Sequence, residues 1–301
     1  MKPKLTVVFV LSLFFLLVRS LLAQDLGPQF KKVRDGIYVY AGKLNDSNVT
    51  IIETQEGVVL IDTGQTPQES HVVTAALKKL TSQPVRFIIH TEPHTDHTLG
   101  NFVFSPPAVV IAHQGATDSM KQASSPENLE KRMAVSPEAR EAYKGFRLVT
   151  PHLEYRDKMT LNVGERTLQL FYLKNVHSEA DTAIWLPKER IVFTAASVTV
   201  KRFGNHRPFV SIPDTLSAIK MMKALNPEIV IPGHGEPSSI KALDDMQKYY
   251  NVLLERVGAM VKAGKSLDEI KKELKIPGTE DWEGKDRFPS NIEAAYRAVK
   301  G

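Results

Sequence analysis

IIHTEPHTDHTLGN, residues 88–101, follows an apolar run of β type (VRFII, 85–89) and places His90, Glu92, His94, Asp96 and His97 within eight positions. A strand that opens into such a turn presents its polar side chains from one sheet edge, where sites are commonly built. Two readings compete for the crowding: an exposed polar loop with coincidental histidines, or ligands gathered around a cation. His94-x-Asp96-His97 alone brings two imidazoles and a carboxylate within a few ångströms, and these are the donors zinc takes where thiolate is lacking. The chain has no cysteine. Disulfides, thiolate metal sites and a cysteine nucleophile are therefore excluded, and any metal must rest on His, Asp and Glu. Two isolated histidines follow at strand ends, His177 in LKNVHSEAD and His234 in IVIPGHGEP. Either one alone would read as structural. With the 90–97 cluster and VVLIDTG (58–64) upstream, they form a pattern.

Working outward, residues 30–62 read as strands, with a hairpin turn at Gly57 between SNVTIIET and VVLIDTG. GQTPQESHVVTAALKKL (64–80) changes to helical spacing, with Val72, Val73, Ala76 and Leu77 expected on one face. A strand at AVVIA (108–112) precedes a helix expected near His113. Residues 122–150, polar and carrying two Ser-Pro signals, read as short helices in a surface excursion. MTLNVGERTLQLFYL (159–173) is a hairpin, and DTAIWLP and RIVFTAAS are strands joined at Lys188–Glu189. A loop (199–214) leads to a helix expected to be capped by Asp214, then a strand into His234. From Ser238 the pattern is helical. Strand pairs with polar helices between them, in both halves, predict an α/β protein built as a four-layer αββα sandwich.

The 301 residues carry 39 Lys plus Arg and 34 Asp plus Glu, a formal charge of +5. Residues 1–23 have a basic start, an apolar run (LTVVFVLSLFFLLV) and a small residue, Ala23, before Gln24, which predicts a cleaved export signal. The apolar run is shorter than the ~20 residues of a spanning helix. Removing it takes Lys2, Lys4 and Arg19 and no acid, leaving 36 basic and 34 acidic groups, or +2. That balance offers nothing to nucleic acid. The expected organisation is a signal at 1–23, a domain at 24–237 and a helical extension at 238–301, exported to the periplasm or medium, with no stable membrane association once the signal is gone.

Here the chain resembles the metallo-β-lactamase superfamily, over roughly Phe30 to Pro237. The motifs that carry the resemblance are Asp62-Thr63-Gly64, Thr91 with His94, Asp96 and His97, then His177, and Pro232-Gly233-His234-Gly235. The resemblance implies that His94 and His177 serve a first metal, and Asp96, His97 and His234 a second. Two positions depart from the family pattern. Glu92 stands where the first motif histidine belongs, which makes the first set Glu92, His94 and His177, with Glu92 instead only hydrogen-bonding nearby, or His90 swinging in, as the alternatives. Ala195-Ala196 replaces a Gly-Asp whose carboxylate coordinates metal in many members, and Ser197 follows it.

With one or two zinc ions, the family implies hydroxide attack on a lactam or similar carbonyl of a small-molecule substrate, Asp96 helping to orient the water. Lys201, Arg202, His206 and Arg207, in the loop after the Ala195 strand, could hold a substrate carboxylate or phosphate, or could be an exposed basic loop. Two alternatives remain: a hydrolase of non-lactam esters or lactones, and a metal-binding module that Glu92 and Ala196 have left with little or no catalysis.

Overall fold

The computed structural model describes residues 25–42 and 47–301; the expected signal over 1–23 lies outside them. Two sheets pack face to face. The first has seven strands in sequence order: β1 (Phe30–Arg34), β2 (Ile37–Ala41), β3 (Asn48–Thr54), β4 (Gly57–Ile61), β5 (Val85–Ile89), β6 (Val109–His113) and β7 (Leu153–Tyr155). Strands β1 to β4 pair antiparallel, and β4 to β7 pair parallel. The second sheet has β8 (Lys158–Val163), β9 (Arg166–Leu173), β10 (Asp181–Leu186), β11 (Ile191–Phe193) and β12 (Ile229–Ile231), in the order β12-β11-β10-β9-β8.

Successive side chains of a strand point to opposite faces, so a strand in the middle of such a sandwich must be apolar on both. Val59 and Ile61 of β4 and Ile184 and Leu186 of β10 meet in the layer between the sheets. Their neighbours Val58 and Leu60 face Val73, Ala76 and Leu77 of α1 (Pro67–Leu80) on the first sheet's outer side. Ala183 and Trp185 join Ile219 of α7 (Ile212–Ala224), Leu253 of α8 (Lys241–Lys262) and Ile292 of α10 (Phe288–Lys300) on the second sheet's outer side. The layers are therefore α-β-β-α, and the C-terminal helices supply part of the outermost one. Each fully buried aliphatic side chain in these layers contributes about 1.5–3 kcal/mol.

Three local expectations are corrected. Val72 is exposed, because α1 turns Val73, Ala76 and Leu77 to the sheet and Val72 falls past the edge of that stripe. His113 ends β6 rather than opening a helix, and α4 runs Ala116–Ala123. The cap of α7 is Ser211, whose hydroxyl accepts from the Asp214 backbone N–H. Asp214 lies one turn inside, where its carboxylate accepts from the Asn175 side-chain amide instead.

The excursion does fold as short helices, with α5 at Pro126–Met133 and α6 at Pro137–Ala142. Strands β4, β5, β9 and β12 all run out at the same edge of the sandwich, and the motif residues lie in the segments that follow them.

Candidate metal centre

Asp62 follows β4 in a left-handed conformation (φ 59°), uncommon for a residue with a side chain and best tolerated by Asp and Asn, so it marks a position under constraint. Its carboxylate accepts from the Thr91 backbone N–H (2.9 Å) and hydroxyl (2.6 Å), and faces His97 Nδ1 at 2.9 Å and His90 Nδ1 at 3.2 Å. Asp62 therefore orients the His-rich turn and points His97 Nε2 away from itself, the role an outer carboxylate plays for a metal-ligating histidine. The sequence shows the Asp-x-Gly motif but not this service. His90 is turned to Asp62 and lies outside both ligand groups.

The turn after β5 includes α2 (Thr95–Thr98), and α3 (Asn101–Phe104) follows Gly100. A Cβ at Gly100 would lie 1.9 Å from Ser70 Oγ and 2.4 Å from Thr63 O, so only glycine lets the turn settle against α1. The Thr63 backbone N–H and hydroxyl both donate to His97 O, at 2.8 and 3.0 Å.

His177 is held by Asp181, which accepts from the backbone N–H groups of His177 (2.6 Å) and Ser178 (2.7 Å) and from the Ser178 hydroxyl. Burial and the nearby Glu92 charge push the Asp181 carboxyl up to about 7. The loop of His234 is clamped by Asn48, whose side-chain amide donates to Pro232 O and Gly235 O at 2.8 Å each, and by Gly233 N donating to Ala195 O at 2.8 Å. Ala195 makes this turn at a positive φ (49°). The Ser197 hydroxyl donates to Thr194 O, so Ser197 packs rather than serving the centre.

The six expected ligands lie side by side, five of them in two groups and Asp96 next to the second. Glu92, His94 and His177 form one group, and Glu92, His97 and His234 another. Glu92 Oε2 contacts His94 Nδ1 and lies 3.3 Å from His177 Nε2. His97 Nε2 and His234 Nε2 are 3.4 Å apart, and Asp96 Oδ2 lies 3.4 Å from the second and 3.7 Å from the first. Ligands bound tetrahedrally at 2.0–2.1 Å sit ~3.3–3.4 Å from one another. The spacing thus fits a metal ion, as does the buried Glu92 Oε1, which has no hydrogen-bond partner.

The charges point the same way. Burial disfavours a charged His97, yet Glu92, Asp62 and Asp96 outweigh it and push its pKa up to about 10. Burial likewise opposes ionisation of Glu92, but the surrounding imidazoles hold its carboxyl well below the usual range. The pocket is built to hold positive charge.

The basic loop disperses. Lys201 pairs with Asp281 at 2.8 Å, and Arg202 lies 3.6 Å from Glu283. His206 is buried against the Tyr250 hydroxyl. Arg207 alone reaches the centre, its Nη1 3.0 Å from His177 O and 3.4 Å from His177 Nε2. A second arginine, Arg132 of α5, donates to Thr95 Oγ1 at 2.9 Å. No sequence signal marked it, because the excursion returns to the site only in three dimensions.

The four-layer αββα sandwich thus carries at one edge two groups of His and Glu, sharing Glu92, with the spacing to hold a metal ion. The sequence pattern of the metallo-beta-lactamase superfamily matches residues 42–234, and the chain belongs to that superfamily. It is 20% identical over 273 residues to a linear primary-alkylsulfatase of Pseudomonas sp. (strain ATCC 19151), covering 75% of this chain and 49% of that protein. It is 25% identical over 185 residues to the 2,4-dinitroanisole O-demethylase subunit alpha of Nocardioides sp. (strain JS1661), covering 61% and 51%. The chain thus spans about half the length of these relatives. Among solved structures, the inverting sec-alkylsulfatase Pisa1 from Pseudomonas sp. superimposes with a TM-score of 0.73 at 19% identity, covering 89% of this chain and 49% of that one.

Proposed function

We propose that the chain is an exported zinc hydrolase acting on small molecules that carry an anionic group beside the bond to be cleaved, with a lactam or similar carbonyl as the first substrate class. The observation that carries this reading is the convergence of Glu92, His94, Asp96, His97, His177 and His234 at ligand spacing, with Arg207 at the rim. Bound zinc would supply a Lewis acid and lower the pKa of water to about 7.

The rest falls to the chain's own side chains. Glu92 is 1% exposed and Asp96 16%, so Asp96 is the carboxylate that faces solvent, placed to orient the attacking water and hold its proton. Asp62 fixes the ring of His97, and Asp181 fixes the backbone of His177. Arg207 presents a guanidinium to a substrate carboxylate or sulfate, a charge-assisted contact with directional preference. A second reading, hydrolysis of sulfate esters, is favoured by the alkylsulfatase likeness over three-quarters of the chain.

Among the described residues no helix is long and apolar enough to cross a membrane. Export itself is checked by the mass of the mature chain, expected to begin at Gln24. The zinc-loaded protein is to be assayed against β-lactams, esters, lactones, thioesters and alkyl sulfates. Turnover of at least one class, abolished by chelator and by Asp96→Ala, is expected. Zinc bound with no turnover across the panel would overturn the hydrolase reading in favour of a metal-binding module.

A further inference from the structure

The geometry points to Glu92 as a carboxylate shared by two metal ions, one oxygen to each. This rests on the metal-centre reading above and goes further, since the sequence assigns Glu92 to the first ion alone. The two oxygens face different partners. Oε2 is turned to His94 Nδ1 and to His177 Nε2 at 3.3 Å. Oε1 is turned the other way, 3.4 Å from His97 Nε2, the edge length of a tetrahedral ligand set.

Oε1 is also buried without a hydrogen-bond partner. Within ion-pair range it faces His97 Nε2, on the side of His234 rather than of His94 and His177. His234 Nε2 and Asp96 Oδ2 lie around the same spot, at 3.4 Å from each other. A histidine at position 92 would have one lone pair and could serve one ion only. A glutamate has two oxygens, and here both are used.

The turn at 195–197 packs on the backbone before His234, with the Ala195 carbonyl carbon 3.0 Å and Ala196 N 3.1 Å from where a Gly233 Cβ would sit. Ala196 has no carboxylate to offer from that side. Glu92, in the turn after β5, supplies one instead.

The test is a competitive zinc titration against a chromophoric chelator, with native mass spectrometry to count ions, on the wild type, Glu92→Gln, Glu92→His, His94→Ala and His234→Ala. The wild type is expected to bind two zinc ions, and each histidine variant to lose one. Glu92→Gln is expected to weaken both binding constants on the order of 100-fold or more, beyond the loss from an outer-shell partner. Glu92→His is expected to keep the first constant and weaken only the second, which keeps the inference testable if the glutamine variant does not fold.

A second constant unchanged in both Glu92 variants would overturn the bridge while leaving the metal centre standing. A wild type that binds no zinc would overturn the centre itself, and the bridge with it.

Discussion

Acidification should loosen the loop that carries Arg207, through a residue that touches neither metal nor substrate. His206 is buried, its Nδ1 donating to Gly204 O at 3.3 Å and its Nε2 accepting from the Tyr250 hydroxyl at 3.2 Å, while its backbone N–H donates to Ser290 Oγ at 3.1 Å. Burial lowers its pKa, and the nearby His177 and Arg297 add to that, bringing it down to about 4 from 6.5. The unfolded chain therefore takes up the proton first as pH falls. Stability from the neutral imidazole is intact above pH 6.5 and is lost on the way down to about pH 4. Between pH 7 and pH 5 the loss is about 2 kcal/mol, levelling off near 3 kcal/mol below pH 4. Urea unfolding at the two pH values should show this loss in the wild type and not in His206→Gln, whose amide can both donate to Gly204 O and accept from Tyr250. Comparison with the variant cancels proton uptake elsewhere. An equal loss in both proteins would refute the argument.

Asp62→Asn replaces an acceptor of several buried donors by a group that is half donor; it should cost about 1–3 kcal/mol in unfolding free energy and weaken zinc binding about 10–100-fold, both read by titration and denaturation. Gly100→Ala drives a methyl into Ser70 and Thr63 and should destabilise by about 1–3 kcal/mol or more, seen as a lower melting temperature. Removing zinc with a chelator should also lower the melting point, since free zinc at a thousand times its dissociation constant contributes about 4 kcal/mol. Arg207→Ala should raise KM for anionic substrates about tenfold or more, as expected for a lost charge-assisted hydrogen bond, with kcat changed far less.

The sandwich could be read from the sequence because strand pairs with polar helices between them recur in both halves, and β4 (GVVLI) is buried along its whole length, as a strand covered on both sides must be. Ends of elements were less legible. Ser211 and Asp214 are both good capping residues within one turn, and the choice depended on Asn175, which engages Asp214 from a distant loop. Glu92, His94, Asp96 and His97 were legible as a set because their spacing puts them on one turn, and His177 and His234 joined them because each follows a strand. The first group, Glu92, His94 and His177, is the one the family resemblance implied; that Glu92 also lies with His97 and His234 was not legible, since spacing cannot say which carboxylate oxygen faces which imidazole. The basic run 201–207 misled for a similar reason: charge is visible in sequence, but Asp281 and Glu283, which lie against two of its members, come from beyond α9 (Leu267–Glu273). Arg132 could not be found at all without the path of the excursion.

The central claim is that two ions sit side by side at the edge of the sandwich, held by these six residues. The most direct measurement is anomalous diffraction at the zinc edge from a crystal of the zinc-loaded protein. Two peaks flanking the Glu92 carboxylate, about 3.5–4 Å apart as in two-metal sites, are expected. A single peak, or none at these side chains, would contradict the account.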